Sequence, residues 1–148
     1  TGITHITIPA TVTALGQNVL TDCSSLAIID IQANVTEIPA NFAVENGRTS
    51  VTLPNTVRTI GDAAFATDSA SLTEITIPAS VTSIGSDAFF QPDAMTTITC
   101  LATTPPTMGN LNSFQIGDNT VIKVPSASVA AYKAATNWSS YADQIVGV

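Results

Sequence analysis

The 148-residue chain carries little charge: charged residues make up 10% of it, against roughly 25% in ordinary soluble domains. Its four basic residues are scattered and its net charge is −7, which excludes a nucleic-acid backbone or an anionic membrane surface as the ligand. No apolar run approaches the roughly 18 residues of a membrane span. The chain has 23 Thr and 13 Ser, whose hydroxyl groups are expected to provide the polar surface that charged residues usually provide.

Segments of similar sequence follow one another along the chain. Ile8, Ile31, Leu53, Ile77 and Cys100 form an apolar column with steps of 23, 22, 24 and 23 residues. A period near 23 lies within the 20–29 range of leucine-rich repeats. The sequence therefore predicts one domain over residues 1–148, with repeats at about 3–25, 26–48, 49–71 and 72–94, a degenerate repeat at 95–118, and a last strand and cap at 119–148.

Each repeat predicts the same three elements in order. A strand with alternating apolar residues comes first, because side chains i and i+2 share a face. These strands are expected near residues 6–8, 29–31, 51–53, 75–77, 97–100 and 121–124. A second extended or turn segment follows, closed by glycines expected at positive φ, namely Gly16, Gly61 and Gly85. A short helical turn then places Phe65 or Phe89 against the back of the core.

The end of the chain predicts a helical cap for the last repeat. The segment "SASVAAYKAATNW" is typical of a helix opened by Ser126 or Ser128 as N-cap. Trp138, Tyr141 and Ile145 follow at helical spacing and are expected to contact the core. A solenoid must cover its terminal unit, so we expect the only tryptophan to be structural.

The segment "LTEITIPASVTSIGSDAFF", residues 72–90, resembles the BspA-like leucine-rich repeat family of bacterial surface and secreted proteins, of the type found in Bacteroidetes. The resemblance implies a right-handed solenoid of parallel strands with short helical turns on its convex side. Repeat two departs from the pattern at Gln32, Pro39 and Phe42, and we expect its coil to be distorted at the back. The family is associated with cell-surface location, protein binding and host attachment, but no ligand residues can be transferred.

The outward positions of the first strands are the candidate binding residues. In a leucine-rich repeat they form the concave sheet, where ligands usually dock. One row comprises Thr7, Asp30, Thr52, Thr76, Thr99 and Lys123, and a second comprises His5, Ile28, Ser50, Glu74, Thr97 and Val121. The alternative is that threonine is simply what an exposed sheet prefers. An ice-binding lattice is disfavoured, because Asp30, Glu74 and Lys123 interrupt the threonines.

Other reactive residues give weaker signals. Cys23 and Cys100 lie about three coils apart, roughly 15 Å at the inter-strand spacing, which is too far for a disulfide. His5 is the single histidine and has no partner at ligand or triad spacing, so neither a metal nor a cofactor is expected. Ser69, in "DSA", fits a short O-glycosylation pattern of exported proteins, with an unmodified loop as the alternative.

These observations favour a non-enzymatic binding module, secreted or on a bacterial cell surface, that recognises a host or neighbouring-cell protein or glycan. The alternative is a structural spacer or stalk. The chain starts at Thr1, so an export signal, a lipid anchor or further repeats would lie upstream. At the N-terminal edge strand, residues 3–8, we also expect either self-association or poor order, because exposed edges recruit other strands.

Overall fold

The computed structural model describes residues 2–67, 72–90 and 95–148, and parallel strands dominate it. The strands are β1 His5–Ile8, β2 Ile28–Ile31, β3 Glu37–Ile38, β4 Ser50–Thr52, β5 Thr59–Ile60, β6 Glu74–Ile77, β7 Ser83–Ile84, β8 Thr97–Cys100, β9 Thr107–Met108, β10 Val121–Val124 and β11 Ile145–Gly147. One α-helix, α1, spans Val129–Ala134, and 3-10 helices span Leu111–Ser113, Ser126–Ser128 and Trp138–Tyr141.

The first strand of each repeat joins what we call the front sheet, the sheet predicted to be concave. It consists of two ladders, β1-β2-β4 and β6-β8-β10-β11, with every pairing parallel. The inward residues of these strands, such as Ile29, Ile75 and Ile98, are buried. All six predicted strands are present to within one residue of the expected bounds, so this part of the prediction is confirmed.

The second segment of each repeat forms a sheet of its own. Strands β3, β5, β7 and β9 pair in parallel and bury Ile38, Ile60, Ile84 and Met108. We call one front strand, its second-sheet segment and the following turn a coil. The parallel sheets are those of a repeat solenoid, while its right-handedness stays a prediction.

Aromatic rings connect successive coils through the core. Phe65 stacks on Phe89 with centroids 5.4 Å apart, and Phe89 stacks on Phe114 at 5.3 Å. Phe42, which the sequence places one residue early, meets Phe65 edge-on instead, at 6.0 Å and 81°. The unusual spacing in repeat two is therefore visible as a change of ring geometry rather than as a loss of contact.

The prediction of helical turns after the second segment is wrong for the turns at residues 17–20, 40–43, 62–65 and 86–88. Each contains a left-handed residue: Asn18, Asn41, Ala63 or Asp87, with φ of 50–58°. This conformation interrupts a helix and turns the backbone N–H toward the next coil. Asn18 N donates to Asn41 O over 3.1 Å, and Ala63 N donates to Ser86 O over 2.8 Å. The turns thus form an inter-coil ladder.

The glycines predicted at positive φ do not adopt it: no described glycine does. Their role is close approach between coils. A Cβ at Gly61 would lie 2.4 Å from Ala40 N, and one at Gly85 would lie 2.5 Å from Asp62 N. The absence of a side chain lets Gly85 N donate to Ile60 O over 2.7 Å. Glycine is required here by packing rather than by backbone conformation.

Pro39 occupies the glycine position of the second coil, and the second sheet ends there. Pro39 has no N–H to donate to the preceding coil, and β3 has no strand partner on that side among the described residues. A depression of about 360 Å³ separates residues 13–17 from 35–39. Beside this depression, Val12 and Leu15 of the first coil are only partly buried, while the expected distortion of repeat two stays a prediction.

The C-terminal cap is only partly helical. Ser128 precedes α1 without a side-chain capping hydrogen bond, and the helix ends before Trp138. Trp138 is fully buried and donates through Nε1 to Pro106 O over 2.7 Å, which confirms its contact with the core. Ile145 was predicted to lie on the helix and instead lies in β11, paired with β10. The chain covers its last coil with a strand as well as a helix, because β11 satisfies the backbone edge of β10.

Candidate functional site

The strand rows predicted from the sequence are aligned in the structure. Thr7, Asp30 and Thr52 face one another across β1, β2 and β4, and Thr76, Thr99 and Lys123 do so across β6, β8 and β10. The second row is equally in register, with Glu74 opposite Thr97. Thr7, Thr52, Glu74 and Thr76 are exposed, whereas Asp30, Thr99 and Lys123 are half-buried.

The rows are interrupted in the middle of the front sheet. Thr49 N donates to Ala27 O over 2.7 Å, and Thr96 N donates to Thr73 O over 2.8 Å. At the step between them, from β4 to β6, the described residues make no ladder hydrogen bond. The corresponding sequence step, from Leu53 to Ile77, is the longest of the four. The front sheet consequently has two internal edges that face each other.

A depression of about 350 Å³ lies at this break, and we call it the central depression. Its polar lining comes from strands β4 and β6 and from the segment after β4, namely Ser50, Thr52, Asn55, Glu74 and Thr76. Pro78 and Leu101 contribute apolar surface. Four of the twelve row residues, Ser50, Thr52, Glu74 and Thr76, are thus brought together, while Thr7, Asp30, Thr99 and Lys123 are among those that lie outside the depression.

Polar side chains outside the central depression differ from those inside it in their hydrogen bonding. Gln32 Nε2 donates to the Asp30 carboxylate over 2.7 Å, and the Thr7 hydroxyl lies 3.3 Å from His5 Nε2. The side chains of Thr52, Asn55, Glu74 and Thr76 make no hydrogen bond within the described chain. The central depression therefore offers unoccupied donors and acceptors, whereas the Asp30 carboxylate already has a partner.

Arg48 has no exposed surface, which the sequence did not lead us to expect. Its Nη1 donates to Ala43 O over 3.0 Å, and its guanidinium lies 5.7 Å from the centre of the Phe65 ring. Nε and Nη2 have no hydrogen-bond partner among the described residues. Desolvation lowers the pKa of Arg48 to about 10, although nearby Glu45 opposes the shift. This cation faces the core and cannot contribute to the strand rows.

A register signal could have identified this burial. Leu26, Leu72 and Met95 each lie three residues before a buried front-strand residue, and all three are buried. Counting three back from Val51 gives Arg48, whereas the sequence analysis began repeat three at Thr49. Arg48 therefore fills a core position that is aliphatic in the neighbouring coils.

The remaining predicted residues are placed as follows. Cys100 is buried on β8, and Cys23 is partly buried; both thiols are free. Burial raises the pKa of the Cys100 thiol. Ser69 lies outside the described residues. Within the described ranges, no three His, Cys, Asp or Glu side chains form a metal-binding group, and no helix has the length and apolarity needed to cross a membrane.

Comparison with known protein families identifies the repeats. The family model described as BspA type leucine rich repeat region (6 copies) matches residues 1–96. No curated protein matches the chain. The matched region contains the strands β1 to β7 and the glycines Gly16, Gly61 and Gly85. It also contains the first four residues of the apolar column, Ile8, Ile31, Leu53 and Ile77. Since the match covers more than half of the chain and agrees with the repeating parallel strands, the protein belongs to the BspA-type leucine-rich repeat family.

Proposed function

We propose that the protein is a non-enzymatic binding module, secreted or displayed on a bacterial cell surface, that recognises a protein or glycan of a host or a neighbouring cell through the strand rows. The observation that carries the proposal is the register of the front sheet. Thr76 lies directly opposite Thr99, and Asp30 lies between Thr7 and Thr52, so side chains from different coils form rows on one surface. The second sheet presents a narrower in-register row on strands of two residues each, namely Glu37, Thr59, Ser83 and Thr107.

The chemistry of the rows supports recognition by hydrogen bonding. A threonine hydroxyl both donates and accepts, and its short side chain lets a partner approach the backbone. Asp30, Glu74 and Lys123 break the uniformity and supply specificity. Charge on this surface is too sparse for electrostatic steering, so binding should depend only weakly on salt.

The experiment begins with affinity capture from host-cell surface extracts and with a glycan array, each using the intact chain. A captured ligand is then tested against Thr52→Arg and Thr76→Arg, which add bulk to the front sheet without touching the core. Thr59→Arg is the matched control, because Thr59 is also an exposed strand threonine in the coil of Thr52 but lies on the second sheet. We expect Thr52→Arg and Thr76→Arg to lose binding and Thr59→Arg to keep it. If Thr52→Arg and Thr76→Arg are both correctly folded and bind as well as the original chain, the proposal is refuted.

A spacer or stalk is the second candidate, and the exposed apolar side chains of the first coil favour it. Ile3 and Val19 are 56% and 57% exposed, and among the described residues β1 is paired on one side only. Gly16 meets nothing but the Val19 side chain, whereas Gly61 and Gly85 meet backbone of a preceding coil. Self-association through β1 would cover this face. Light scattering across protein concentrations tests it: a purely monomeric chain at high concentration contradicts association.

A further inference from the structure

We infer that the central depression binds a neutral glycan, through its hydroxyl, amide and carboxylate side chains. The inference rests on the proposed function and narrows it to one ligand class and one place on the front sheet. It rests on the break between β4 and β6, an observation that is separate from the alignment of the strand rows. The lining residues that carry it are Ser50, Thr52, Asn55, Glu74 and Thr76.

The lining is suited to sugar hydroxyls. Each sugar hydroxyl can donate one hydrogen bond and accept others, and it therefore needs partners of both kinds. Ser50, Thr52 and Thr76 can act as donor or acceptor, the Asn55 amide supplies one of each, and the Glu74 carboxylate accepts. These side chains are exposed and have no hydrogen-bond partner in the described chain. Binding would therefore require no internal hydrogen bond to be broken.

An apolar rim completes the fit to a sugar ring, which has C–H faces as well as hydroxyls. Leu101, the residue after β8, is 46% exposed and lines the depression beside the buried Pro78. A large aliphatic side chain left in water next to a hydroxyl-rich lining gains by contact with an apolar ligand face. The volume of about 350 Å³ lies at the small end of ligand sites, which favours a short saccharide segment over a large ligand.

The charge of the lining argues against other ligand classes. None of its described residues is basic, Glu74 is acidic, and the whole chain carries −7, so phosphate, sulfate and acidic saccharides would be repelled. One carboxylate is too few for a multivalent cation, which takes several oxygen ligands. The described lining also lacks the tryptophan, tyrosine and arginine residues that anchor most protein interfaces. A neutral, hydroxyl-rich ligand is what remains.

The test titrates the intact ¹⁵N-labelled chain with four neutral hexasaccharides: maltohexaose, cellohexaose, mannohexaose and chitohexaose. We expect at least one to give saturable amide shifts that cluster at residues 50–55 and 74–78. Glu74→Gln keeps the shape but removes a charged acceptor and should weaken that binding by about tenfold. Thr76→Arg should abolish it, and Thr59→Arg should leave it unchanged.

The outcomes separate this inference from the proposed function. No saturable shift with any of the four saccharides, or binding unaffected by both Glu74→Gln and Thr76→Arg, overturns the glycan assignment. If a captured protein still binds and Thr76→Arg abolishes its binding, the strand rows remain the binding surface and only the ligand class is wrong. A dispersed amide spectrum of each variant verifies folding, and Glu74→Gln, a conservative exposed change, keeps the test decisive if Thr76→Arg unfolds.

Discussion

Gly85→Ala tests whether the glycine column is required by contact between coils. The added Cβ would lie 2.5 Å from Asp62 N and 2.6 Å from Gly61 C, whereas ordinary contact begins at 3.4 Å. Because the obstacle is backbone, the coils must separate locally by about 0.9 Å, the difference between 3.4 and 2.5 Å. The hydrogen bond from Gly85 N to Ile60 O, now 2.7 Å, would then exceed normal hydrogen-bond length.

The expected magnitude follows from three contributions. Overpacking costs about 1–3 kcal/mol, and loss of the hydrogen bond adds about 1 kcal/mol. Alanine recovers about 0.4–1 kcal/mol by restricting the unfolded chain, since φ is not positive and the backbone itself is compatible with a side chain. We expect Gly85→Ala to lower the free energy of unfolding by about 2 kcal/mol.

Gly16→Ala is the matched control, because it makes the same chemical change in the same column. Its Cβ would meet only Val19 Cγ2, at 3.1 Å, and Val19 is exposed enough to move. This variant should be neutral or stabilising by up to about 1 kcal/mol. Urea denaturation followed by circular dichroism, with equal m-values, measures both. Equal midpoints for the two variants would refute the close-approach explanation.

Three further predictions concern the core, the buried thiol and the proline break. Ile77→Ala should cost about 2–5 kcal/mol because it empties a fully buried position, while Thr76→Ser should stay within about 0.5 kcal/mol; similar urea midpoints would contradict the column assignment. Burial raises the pKa of Cys100 above its ordinary 9.0, so the unfolded chain loses this proton first. The free energy of unfolding should therefore fall by about 1.4 kcal/mol per pH unit above pH 9, and Cys100→Val should delay the fall until the tyrosines ionise. If the free energy of unfolding of the original chain and of Cys100→Val depended on pH in the same way, Cys100 would not be the group responsible. Pro39→Gly should create an amide protected from hydrogen exchange at position 39, whereas a fast-exchanging amide would show that proline is not what keeps the first two coils apart.

The strands and their register were predictable because two independent patterns agree. Alternation fixes which side chains of β6 point inward, and the steps of 22–24 residues fix which residues lie opposite one another. The role of the glycines was not predictable. A glycine such as Gly61 can be required by a positive φ or by the close approach of a neighbouring coil, and the sequence does not distinguish the two. The left-handed turns were predictable in part, because Asn18, Asn41 and Asp87 are residue types that tolerate positive φ. Ala63 of "DAAF" adopts the same conformation without being such a residue.

The candidate site was predictable as rows but not as a depression. Thr52 and Thr76 could be assigned to one surface from their places in the repeat. Whether β4 and β6 form hydrogen bonds depends on the distance between their coils. That distance cannot be derived from the spacing of apolar residues in the sequence. The burial of Arg48, by contrast, was predictable, because counting three residues back from Val51 places this cation in an otherwise apolar column.

The position of Trp138 determines what fluorescence can report about this protein. It is the single tryptophan of the chain, and it lies at the capped end of the ring stack, 5.8 Å from Phe114. In a repeat array each unit contacts only its neighbours, so terminal units can open separately. The first coil, with Ile6 and Leu15 only partly covered, can open without altering the surroundings of the indole. An emission-monitored unfolding curve therefore records the stability of the capped end, not that of the whole array.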